Sequence, residues 1–510
     1  MATPLNFVLP LSGDNLVDLS MNGYGWALDA DRKITWSASL GFAGEGFDPG
    51  LIEYYQAAFD IFALYINVKF EYLGVFNDPN AAYQSGSNIN IFWDSGSSFF
   101  PDSSFLAIAG FPETVTQSAY PGMPGDVIFN ANSASATLPY TPGSEGWWTL
   151  IHELGHAMGL KHTHDDGGTG RPTMSDLDIA DLDKDWVSMM SYNDTQNEST
   201  SSFDPLTPMF LDVIGLQYLY GANTNTFAGD DSALEIQSIT DFRTIWDASG
   251  ANDYVDASAY TEGVSINLPI VLGSALFGFA GPLAEADKDA PTSGYWLMGE
   301  IEHALGSSFN DELVGNHLNN ILDGRAGTDV VQYEELARSN ATITAVNGGF
   351  SVSAAAYGTD TLVNVERIGF ASGDYVGLDI DGVGGKCYRV YQAAFGRTPD
   401  EGGLGYWIAQ MDAGMDLIEV ANRFLDSAEY QALYGSNPSN DEFLTAIYRN
   451  VLNRAPDNEG YAWWLNEINT NPEKTQGKVL ADFSESPENQ ANVIGVIQNG
   501  FDYDLWAMNA

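Results

Sequence analysis

The sequence predicts a multidomain chain in which an α+β domain is followed by a parallel β-roll and then by an all-α module. Three observations support this prediction: mixed strand and helix patterns up to residue 221, glycine-led repeats within residues 222–378, and duplicated helical patterns in residues 386–510. A length of 510 residues also exceeds what a single hydrophobic core usually supports. We therefore predict domains at residues 1–221, 222–378 and 386–510.

The charge balance excludes whole classes of partner. The chain has 19 Lys and Arg against 69 Asp and Glu, a formal net charge of −50. Such a surface repels nucleic acid and anionic membranes, and we expect neither as a partner. It suits calcium binding, with generic acidic solubility as the alternative explanation. The single cysteine, Cys387, rules out an intrachain disulfide framework.

Neither a membrane span nor a secretory signal is predicted. No apolar run reaches the roughly 18 residues that a membrane-spanning helix requires. The first residues, MATPLNFVLPLSGDN, have no basic segment and no long apolar core of the kind found in a secretory signal. Taken alone, these features favour a cytoplasmic location.

The first domain alternates between strand and helix patterns. Strand patterns occupy residues 33–40, 68–72 and 87–93, and a helical pattern occupies residues 49–70. A further helical pattern at residues 208–221 ends in glycine and closes the domain.

Residues 152–162, His-Glu-Leu-Gly-His-Ala-Met-Gly-Leu-Lys-His, carry the chemistry of this domain. On a helix, His152 and His156 lie four residues apart and share a face, so their imidazoles can reach one ion. Gly159 tolerates the turn that ends the helix, and His162 then arrives as a third nitrogen. Three protein ligands with an open fourth position are the arrangement of one catalytic zinc ion, whose bound water has a pKa of about 7.

Glu153 projects beside these ligands, where it can act as a general base rather than as a ligand. The alternative interpretation is a structural helix that happens to carry histidines. The chain has only 6 His, and four of them lie between residues 152 and 164. This concentration favours the metal site.

Two stretches resemble a known family. Residues 152–162 resemble the long zinc motif of the metzincin endopeptidases, and residues 188–192, Ser-Met-Met-Ser-Tyr, resemble the methionine turn of the serralysins. The resemblance implies a serralysin-type zinc endopeptidase, with Met190 beneath the metal. It also implies that Tyr192 binds zinc at rest and stabilises the oxyanion during turnover. Thr163 stands where serralysins usually have proline.

The resemblance extends to the sheet of the first domain. Residues 105–112 are similar to the metzincin edge strand against which an extended substrate pairs, and residues 125–130 to the strand that follows. An exposed edge can take a peptide as one more strand, with little side-chain selectivity. We expect Ala107 and Ala109 to lie in this substrate edge. An ordinary sheet edge is the alternative.

Three consecutive nine-residue frames lie in the second domain: GSSFNDELV (306–314), GNHLNNILD (315–323) and GRAGTDVVQ (324–332). Each begins with glycine; the sixth residues are Asp311, Asn320 and Asp329, and the eighth are Leu313, Leu322 and Val331. This is the parallel β-roll repeat, in which the sixth residue supplies a carboxylate and the eighth fills the core. We expect Asp311 and Asp329 to bind one or two calcium ions.

Loops that precede these frames resemble the serralysin calcium sites between the catalytic domain and the roll. The matching residues are Phe227, Gly229, Asp231, Asp247, Ser249, Gly250, Asn252, Glu300 and Glu302. Two of them differ in type from the usual pattern, since Ser249 replaces glycine and Asn252 replaces aspartate. The resemblance implies several structural calcium ions. Ordinary turn chemistry is the alternative for such loops.

The last domain contains an internal duplication. The set Tyr391, Arg397-Thr398-Pro399-Asp400, Gly403 and Trp407 recurs 57 residues later as Tyr448, Arg454-Ala455-Pro456-Asp457, Gly460 and Trp464. The pattern resembles a helical module appended to bacterial repeats-in-toxin and surface-layer proteins, and it names no chemistry. The repeated aromatic residues favour helix packing over a ligand platform.

The sequence therefore predicts a secreted zinc endopeptidase that hydrolyses extracellular proteins and peptides. The serralysin resemblance implies a type I exporter that reads a C-terminal signal, which replaces the cytoplasmic expectation with an extracellular one. A proteinaceous inhibitor or a cell-surface layer would be a further partner. The alternative is a calcium-dependent surface or adhesion protein with a vestigial protease domain. Intact zinc ligands and an intact base argue against that alternative.

Overall fold

The protein folds as two compact units, Met1–His303 and Ala304–Ala510. The structure is a computed structural model that describes residues 2–96, 98–113, 123–193, 205–272, 275–284, 291–355, 357–452 and 457–506. The division between the units falls inside the predicted second domain, and the three-domain division stays a prediction. Within the described ranges, no helix is long and apolar enough to cross a membrane.

The first unit mixes helices and strands. Its helices are α1 (Asn15–Ser20), α2 (Leu51–Tyr65), α3 (Pro79–Gln84), α4 (Glu145–Ala157) and α5 (Phe210–Tyr220), with short 3-10 turns at Ala134–Thr137 and Ala180–Leu182. Its strands are β1 (Thr3–Pro4), β2 (Trp26–Ala27), β3 (Lys33–Ser39), β4 (Lys69–Phe76), β5 (Ile89–Asp94), β6 (Ala107–Ala109), β7 (Asp126–Asn130), β8 (Ala233–Gln237), β9 (Phe242–Trp246), β10 (Tyr254–Ala259), β11 (Val264–Leu272), β12 (Ala275–Pro282) and β13 (Gly294–Met298). The strands and helices predicted for this region are all present, with bounds shifted by a few residues.

A five-stranded sheet in the order β4-β3-β5-β7-β6 organises the N-terminal part of this unit. Strands β4, β3, β5 and β7 run parallel, while β6 runs antiparallel to β7 and forms one edge. Trp36 on β3 is fully buried and stacks on Phe59 of α2, with ring centroids 4.8 Å apart. Helices α2 and α4 pack together, and α4 also contacts β6 and β7. This packing sets the histidine helix beside the edge strand.

A second set of strands supports the region that contains the methionine turn. Strands β11, β12, β13 and β9 are neighbours in one sheet, with β13 and β9 parallel. Trp296 on β13 stacks on Trp186, with ring centroids 5.3 Å apart, and its indole N–H donates to the Trp186 carbonyl at 2.6 Å. Tyr65 at the end of α2 donates to the Thr244 carbonyl on β9 at 2.8 Å. The segment just before the methionine turn is thereby anchored.

The second unit begins with strands that alternate between two sheets. Its strands are β14 (His303–Leu305), β15 (Glu312–Val314), β16 (Ile321–Asp323), β17 (Val330–Tyr333), β18 (Thr342–Val346), β19 (Gly349–Ala354), β20 (Gly358–Val363), β21 (Arg367–Phe370), β22 (Asp374–Gly377) and β23 (Phe501–Asp504), with a 3-10 turn at Arg338–Asn340. Strand β14 pairs in parallel with β16, which pairs with β20. Strand β15 pairs in parallel with β17, which pairs with β21.

The repeat geometry explains its residue pattern. The eighth residues Leu313, Leu322 and Val331 are all 0% exposed, which confirms that they fill the core. A Cβ placed on the first glycine of each frame would approach a side-chain oxygen of the sixth residue to 2.4 Å, 2.4 Å and 2.5 Å in turn. Glycine at the first position therefore leaves room for the sixth side chain to fold back against it.

The C-terminal helices confirm the duplication. They are α6 (Val383–Phe395), α7 (Glu401–Asp412), α8 (Leu417–Leu425), α9 (Ala428–Tyr434), α10 (Asn440–Leu452), α11 (Asn458–Thr470), α12 (Gln476–Ser484) and α13 (Pro487–Ile497). Asp400 caps α7 through the Gly403 N–H at 2.8 Å, and Asp457 caps α11 through the Gly460 N–H at 2.7 Å. The repeat positions Arg454, Ala455 and Pro456 lie outside the described residues.

The repeated aromatic residues of the helices are packing residues, as predicted. Tyr391 and Tyr448 are buried in one apolar cluster, and Trp407 and Trp464 pack against it. After the helices, β23 pairs antiparallel with β22, so the chain returns to the sheet that contains β17 and β21. The strand that follows the helices is therefore part of a sheet formed by strands that precede them in the second unit.

Candidate metal centre and substrate cleft

Helix α4 presents two histidines on one buried face. Ser144 caps the helix, since its hydroxyl accepts the Trp147 N–H at 3.3 Å. Trp147 is fully buried, and its indole N–H donates to the Leu206 carbonyl at 3.0 Å. His152 and His156 follow on the next turns, 2% and 7% exposed. Their spacing of four residues aligns the two rings, as the sequence predicts.

The chain reverses directly after the helix. Gly159 has φ +102°, a conformation that residues with a side chain rarely adopt, and a Cβ there would lie 2.4 Å from the Tyr24 carbonyl oxygen. This agrees with the predicted role of the glycine. The reversal carries His162 back over the helix, where its ring centroid lies 4.5 Å from that of His156.

The three histidines point their Nε2 atoms at a common point. His162 Nε2 lies 3.2 Å from His152 Nε2 and 3.0 Å from His156 Nε2. Each opposite nitrogen, Nδ1, has its own partner: the Met189 carbonyl at 2.8 Å, the Leu160 carbonyl at 2.9 Å and Asp165 Oδ2 at 2.7 Å. Because Nδ1 donates a proton to an oxygen in each case, the Nε2 lone pairs are left for a ligand.

This donor set fits a zinc ion. At a zinc–nitrogen distance of about 2.0–2.1 Å, tetrahedral ligand nitrogens lie about 3.3 Å apart. Ligand atoms of His152, His156 and His162 all lie within 4.8 Å of one another. Burial, together with the neighbouring histidines, lowers the pKa of His152 to about 3 and that of His156 well below its usual value. Both rings are therefore neutral, as a metal ligand must be.

Glu153 lines the same cavity as His156 and His162. Its side chain is 7% exposed, and its Oε2 atom is buried without a hydrogen-bond partner. Burial raises the pKa of its carboxyl to about 8. A buried carboxylate with a free oxygen is suited to exchange a proton with a molecule that enters the cavity.

Tyr192 closes the open side of the centre. Its hydroxyl lies 2.7 Å from His162 Nε2, although the side chain is 58% exposed. Burial of the hydroxyl, with the charges of Glu153 and Asp165, raises the pKa of this phenol. The group therefore stays protonated near neutral pH and can donate a hydrogen bond.

The methionine turn lies beneath the helix. Met190 is fully buried, and a Cβ on Gly155 would approach its sulfur to 2.7 Å. Asp212 on α5 holds the turn: its carboxylate accepts the Ser188 hydroxyl at 2.6 Å and the Met189 N–H at 2.8 Å. Because the Met189 carbonyl orients His152, Asp212 supports the metal centre indirectly. Asp212 was not predicted from the sequence, where its position in the first turn of the predicted closing helix is the only signal.

The loop after His162 contributes two further residues that the sequence analysis missed. Asp165 binds His162 Nδ1 through one oxygen and accepts the Gly167 N–H at 2.8 Å through the other. Lys161 is fully buried, and its ammonium donates to the carbonyl oxygens of Asp165 at 2.7 Å and His162 at 3.1 Å. Together they fix the third ligand. His164, His162 and Asp165 also form a compact ligand group, which shares His162 with the main centre.

An open cleft of about 560 Å³ runs between this centre and the sheet edge. Ala107 and Ala109 of β6 line one side, together with Phe105, Ile108 and Phe111. The other lining residues are Glu153, His156, His162, Asp165, Asp166, Gly167, Gly168 and Tyr192. Among the described strands, β6 ends the sheet. The structure thus brings the predicted edge strand and the predicted metal centre to the same cleft.

A cluster of carboxylates lies among the loops predicted to bind calcium in the first unit. Asp247 is 1% exposed, and neither of its carboxylate oxygens has a hydrogen-bond partner. Burial, with the charges of Asp253 and Glu302, raises its pKa to about 7. Glu302 accepts the Asp253 N–H at 2.9 Å, and a Cβ on Gly250 would lie 2.6 Å from the Gly229 carbonyl oxygen. Oxygen atoms from several loops therefore converge.

The remaining predicted calcium residues of this unit lie on the exposed side of these loops. Phe227, Asp231 and Asn252 have positive φ angles of 49°, 59° and 62°, which mark tight turns. Ser249 and Glu300 are exposed. Asn252 was predicted from the sequence but its neighbour Asp253 was not. Asp253 is fully buried and has a carboxylate oxygen without a partner.

A second group of carboxylates lies along one side of the repeats in the second unit. Asp329 is fully buried, and one of its oxygens accepts the Asp311 N–H at 2.8 Å while the other has no hydrogen-bond partner. The Asp329 N–H in turn donates to Glu366 at 2.9 Å. Burial, with these neighbouring carboxylates, raises the pKa of Asp329 to about 8. Glu366 was not predicted, because it lies outside the nine-residue frames.

A helix with two histidines, a returning third histidine, a buried glutamate and a methionine turn beneath them together resemble the metal centre of the metzincin class. Within that class, the chain is similar to serralysins. It is 34% identical over 215 residues to metalloprotease AprA from Pseudomonas entomophila (strain L48), covering 38% of this chain and 41% of the relative. It is 28% identical over 286 residues to serralysin from Proteus mirabilis, covering 53% and 55%.

A third relative gives the same result. The chain is 35% identical over 206 residues to serralysin C from Dickeya chrysanthemi, covering 37% of this chain and 40% of the relative. The chain thus spans between 40% and 55% of the length of these three curated relatives. The resemblance predicted from the zinc motif and the methionine turn is confirmed. Residues 387–429 and 421–493 match the family described as "Domain of unknown function (DUF4214)", which fits an appended module.

Proposed function

We propose that the protein is a secreted, zinc-dependent endopeptidase. The observation that supports this most directly is the convergence of three Nε2 atoms beside a buried Glu153 oxygen that has no partner. The neutral imidazoles of His152 and His156, with the satisfied Nδ1 atoms of all three rings, favour a divalent metal that accepts nitrogen ligands. Zinc is the usual metal in such a set.

The proposed mechanism assigns one role to each residue. Zinc held by His152, His156 and His162 would supply a Lewis acid that acidifies water and polarises a carbonyl. Glu153 accepts a proton from water in the cleft and returns it to the leaving amine. Tyr192 donates a hydrogen bond to the oxyanion that forms on the scissile carbonyl.

Substrate binding is proposed to use the sheet edge. Strand β6 offers backbone groups on the side facing the cleft, so an extended peptide can pair with it as a further strand. Met190 and Asp212 have no direct chemical role in this proposal. They keep the histidines in place from below.

We further propose that the alternating strands of the second unit are a calcium-binding β-roll. The converging carboxylates at Asp247 and Glu302 and at Asp311 and Asp329 would then hold several structural calcium ions, since buried carboxylates without cations repel one another. The serralysin similarity supports an extracellular location and export through a type I exporter. A proteinaceous inhibitor or a cell-surface layer remains a proposed partner.

The test is hydrolysis of casein and of a quenched fluorescent peptide by the full chain, loaded with zinc and calcium. A zinc chelator should abolish hydrolysis, and added zinc should restore it. A zinc-loaded, folded chain that cleaves neither substrate would refute the endopeptidase function. It would favour the alternative of a calcium-dependent surface protein with a vestigial protease domain.

A further inference from the structure

The loop from residue 161 to residue 171 forms one wall of the cleft, and its basic and acidic side chains lie in different places. Its two basic side chains are buried and engaged elsewhere. Lys161 is fully buried and donates to backbone carbonyls, and Arg171, 2% exposed, forms an ion pair with Asp18 at 2.6 Å. Neither cation faces the cleft.

The acidic side chains of the same loop line the cleft. Asp165 borders it while holding His162. Asp166 also borders it and is exposed, with one oxygen accepting the Gly168 N–H at 2.9 Å. Among the described residues that line the cleft there is no Lys or Arg. The charged side chains among these lining residues are therefore the carboxylates of Glu153, Asp165 and Asp166.

A second observation marks this cleft as a place for a ligand. Glu153, which is 7% exposed, has a buried oxygen without a partner in the same cavity. Across the cleft, Phe105 and Ile108 give an apolar wall beside β6, which ends the sheet among the described strands. A long basic side chain can lay its methylene groups on such a wall while its charged end reaches a carboxylate.

We propose that the cleft prefers peptides that carry Lys or Arg close to the scissile bond, and that Asp166 determines this preference. The inference rests on the proposed endopeptidase function. Asp165 contacts Nδ1 of His162, on the opposite side of the imidazole ring from the nitrogen proposed to bind the metal. Asp166 is the next residue in the chain. Because an extended peptide advances about 3.3 Å per residue, the basic residue lies within about two positions of the bond that is cut.

Peptide binding tests the charge preference separately from turnover. Fluorescent peptides that differ only in having Lys, Gln or Glu at one position are titrated against the zinc-loaded full chain carrying Glu153→Gln. We expect the Lys peptide to bind about two- to five-fold more tightly than the Gln peptide, as for a partly exposed ion pair. In about 1 M salt, where the Debye length is about 3 Å, the difference should shrink.

Matched variants identify the responsible group. Asp166→Asn, made alongside Glu153→Gln, should bring the Lys and Gln affinities together, and Asp166→Lys should favour the Glu peptide. Asp181→Asn removes a carboxylate that is also exposed but lies outside the cleft, and it should keep the preference. Equal affinities for Lys and Glu peptides at every position, or a preference that survives Asp166→Asn, would overturn the inference.

Cleavage of the same peptides by the wild-type chain separates the two proposals. Hydrolysis of the Gln peptide without any difference in kcat/KM or affinity between Lys and Glu would overturn the charge preference alone. A Lys preference in binding that depends on Asp166, without cleavage of any peptide, would support the inference about the cleft and refute the endopeptidase function.

Discussion

Several buried carboxyl oxygens without hydrogen-bond partners lie where ligands are proposed. In the described residues, such atoms include one oxygen each of Glu153, Asp253 and Asp329 and both oxygens of Asp247. A buried polar group without a partner costs about 1–3 kcal/mol, so proteins retain few of them without a reason. Here each one faces a proposed reacting water or a proposed cation.

Replacing Glu153 with Gln should abolish hydrolysis and leave the metal bound. The amide has nearly the same shape but cannot accept a proton, and general base catalysis contributes about 100- to 10,000-fold to the rate. The measurements are kcat/KM on a quenched peptide and zinc content by atomic absorption. His156→Ala is the control, since it removes a ligand and should lose zinc. Loss of zinc from Glu153→Gln would make the glutamate a ligand.

Replacing Tyr192 with Phe should lower kcat by about 100-fold with little change in KM, as for loss of one oxyanion donor. The side chain is largely exposed, so folding should be unaffected. The control is Tyr83→Phe on α3, another exposed tyrosine. An unchanged kcat would remove Tyr192 from the mechanism.

At the scale of elements, the metal centre depends on contacts between α4, the methionine turn and α5. Helix α4 supplies two of the proposed ligands, while the turn supplies the Met189 carbonyl that orients His152. Asp212 at the start of α5 accepts hydrogen bonds from Ser188, Met189 and Met209. One carboxylate thus links the closing helix to the floor of the site.

Replacing Asp212 with Ala should destabilise the protein and weaken metal binding. The substitution leaves two buried N–H groups and one hydroxyl without an acceptor, at a cost of about 1–3 kcal/mol or more. Asp212→Asn keeps one carbonyl oxygen in place and should lose less stability and less metal affinity than Asp212→Ala. Urea unfolding and competition with a zinc chelator measure the two effects. Equal stability of the wild-type and Ala proteins would show that the turn is held by other contacts.

At the scale of the whole molecule, the net charge of −50 is the reason that cations are proposed to stabilise the fold. Burial, with neighbouring carboxylates, raises the pKa of Asp247 to about 7 and that of Asp329 to about 8, from an ordinary value of 3.8. Without cations, the folded protein therefore holds these protons more tightly than the unfolded chain does. Bound cations would remove this difference in proton binding between the folded and unfolded chains, because they favour the ionised carboxylates.

In a calcium chelator, the melting temperature should fall as the pH rises from about 4 to 8. The raised pKa values contribute stability that is present below the unfolded value and lost as the pH passes the folded one. Millimolar calcium should raise the melting temperature at pH 8 and flatten the pH dependence, since it binds only the folded state. Thermal unfolding followed by circular dichroism measures both.

The matched variants for this prediction are Asp329→Asn and Asp181→Asn. The first removes a buried carboxyl and should reduce both the pH dependence in chelator and the response to calcium. The second removes an exposed one and should change neither. The same melting temperature in calcium and in chelator would mean that calcium does not stabilise this fold.

The sequence by itself determined the local features of this protein. The spacing of His152 and His156, the reversal at Gly159 and the glycine-led frames are properties of neighbouring residues. Backbone geometry fixes them without reference to distant parts of the chain. For the same reason, the helical duplication and the buried eighth positions could be predicted, and the predicted helices and strands of the first domain are found with small shifts.

Only the tertiary structure decided which distant groups meet. Asp212 lies 60 residues beyond His152, and Asp253 and Glu366 lie outside any repeat, so no periodicity could point to them. The return of β23 to pair with β22 joins residues that are more than 120 positions apart. These contacts depend on how elements distant in sequence pack together and on the burial of polar groups in a low-dielectric interior. There, each carboxylate must find a donor or a cation, and the packing of the whole chain determines which one.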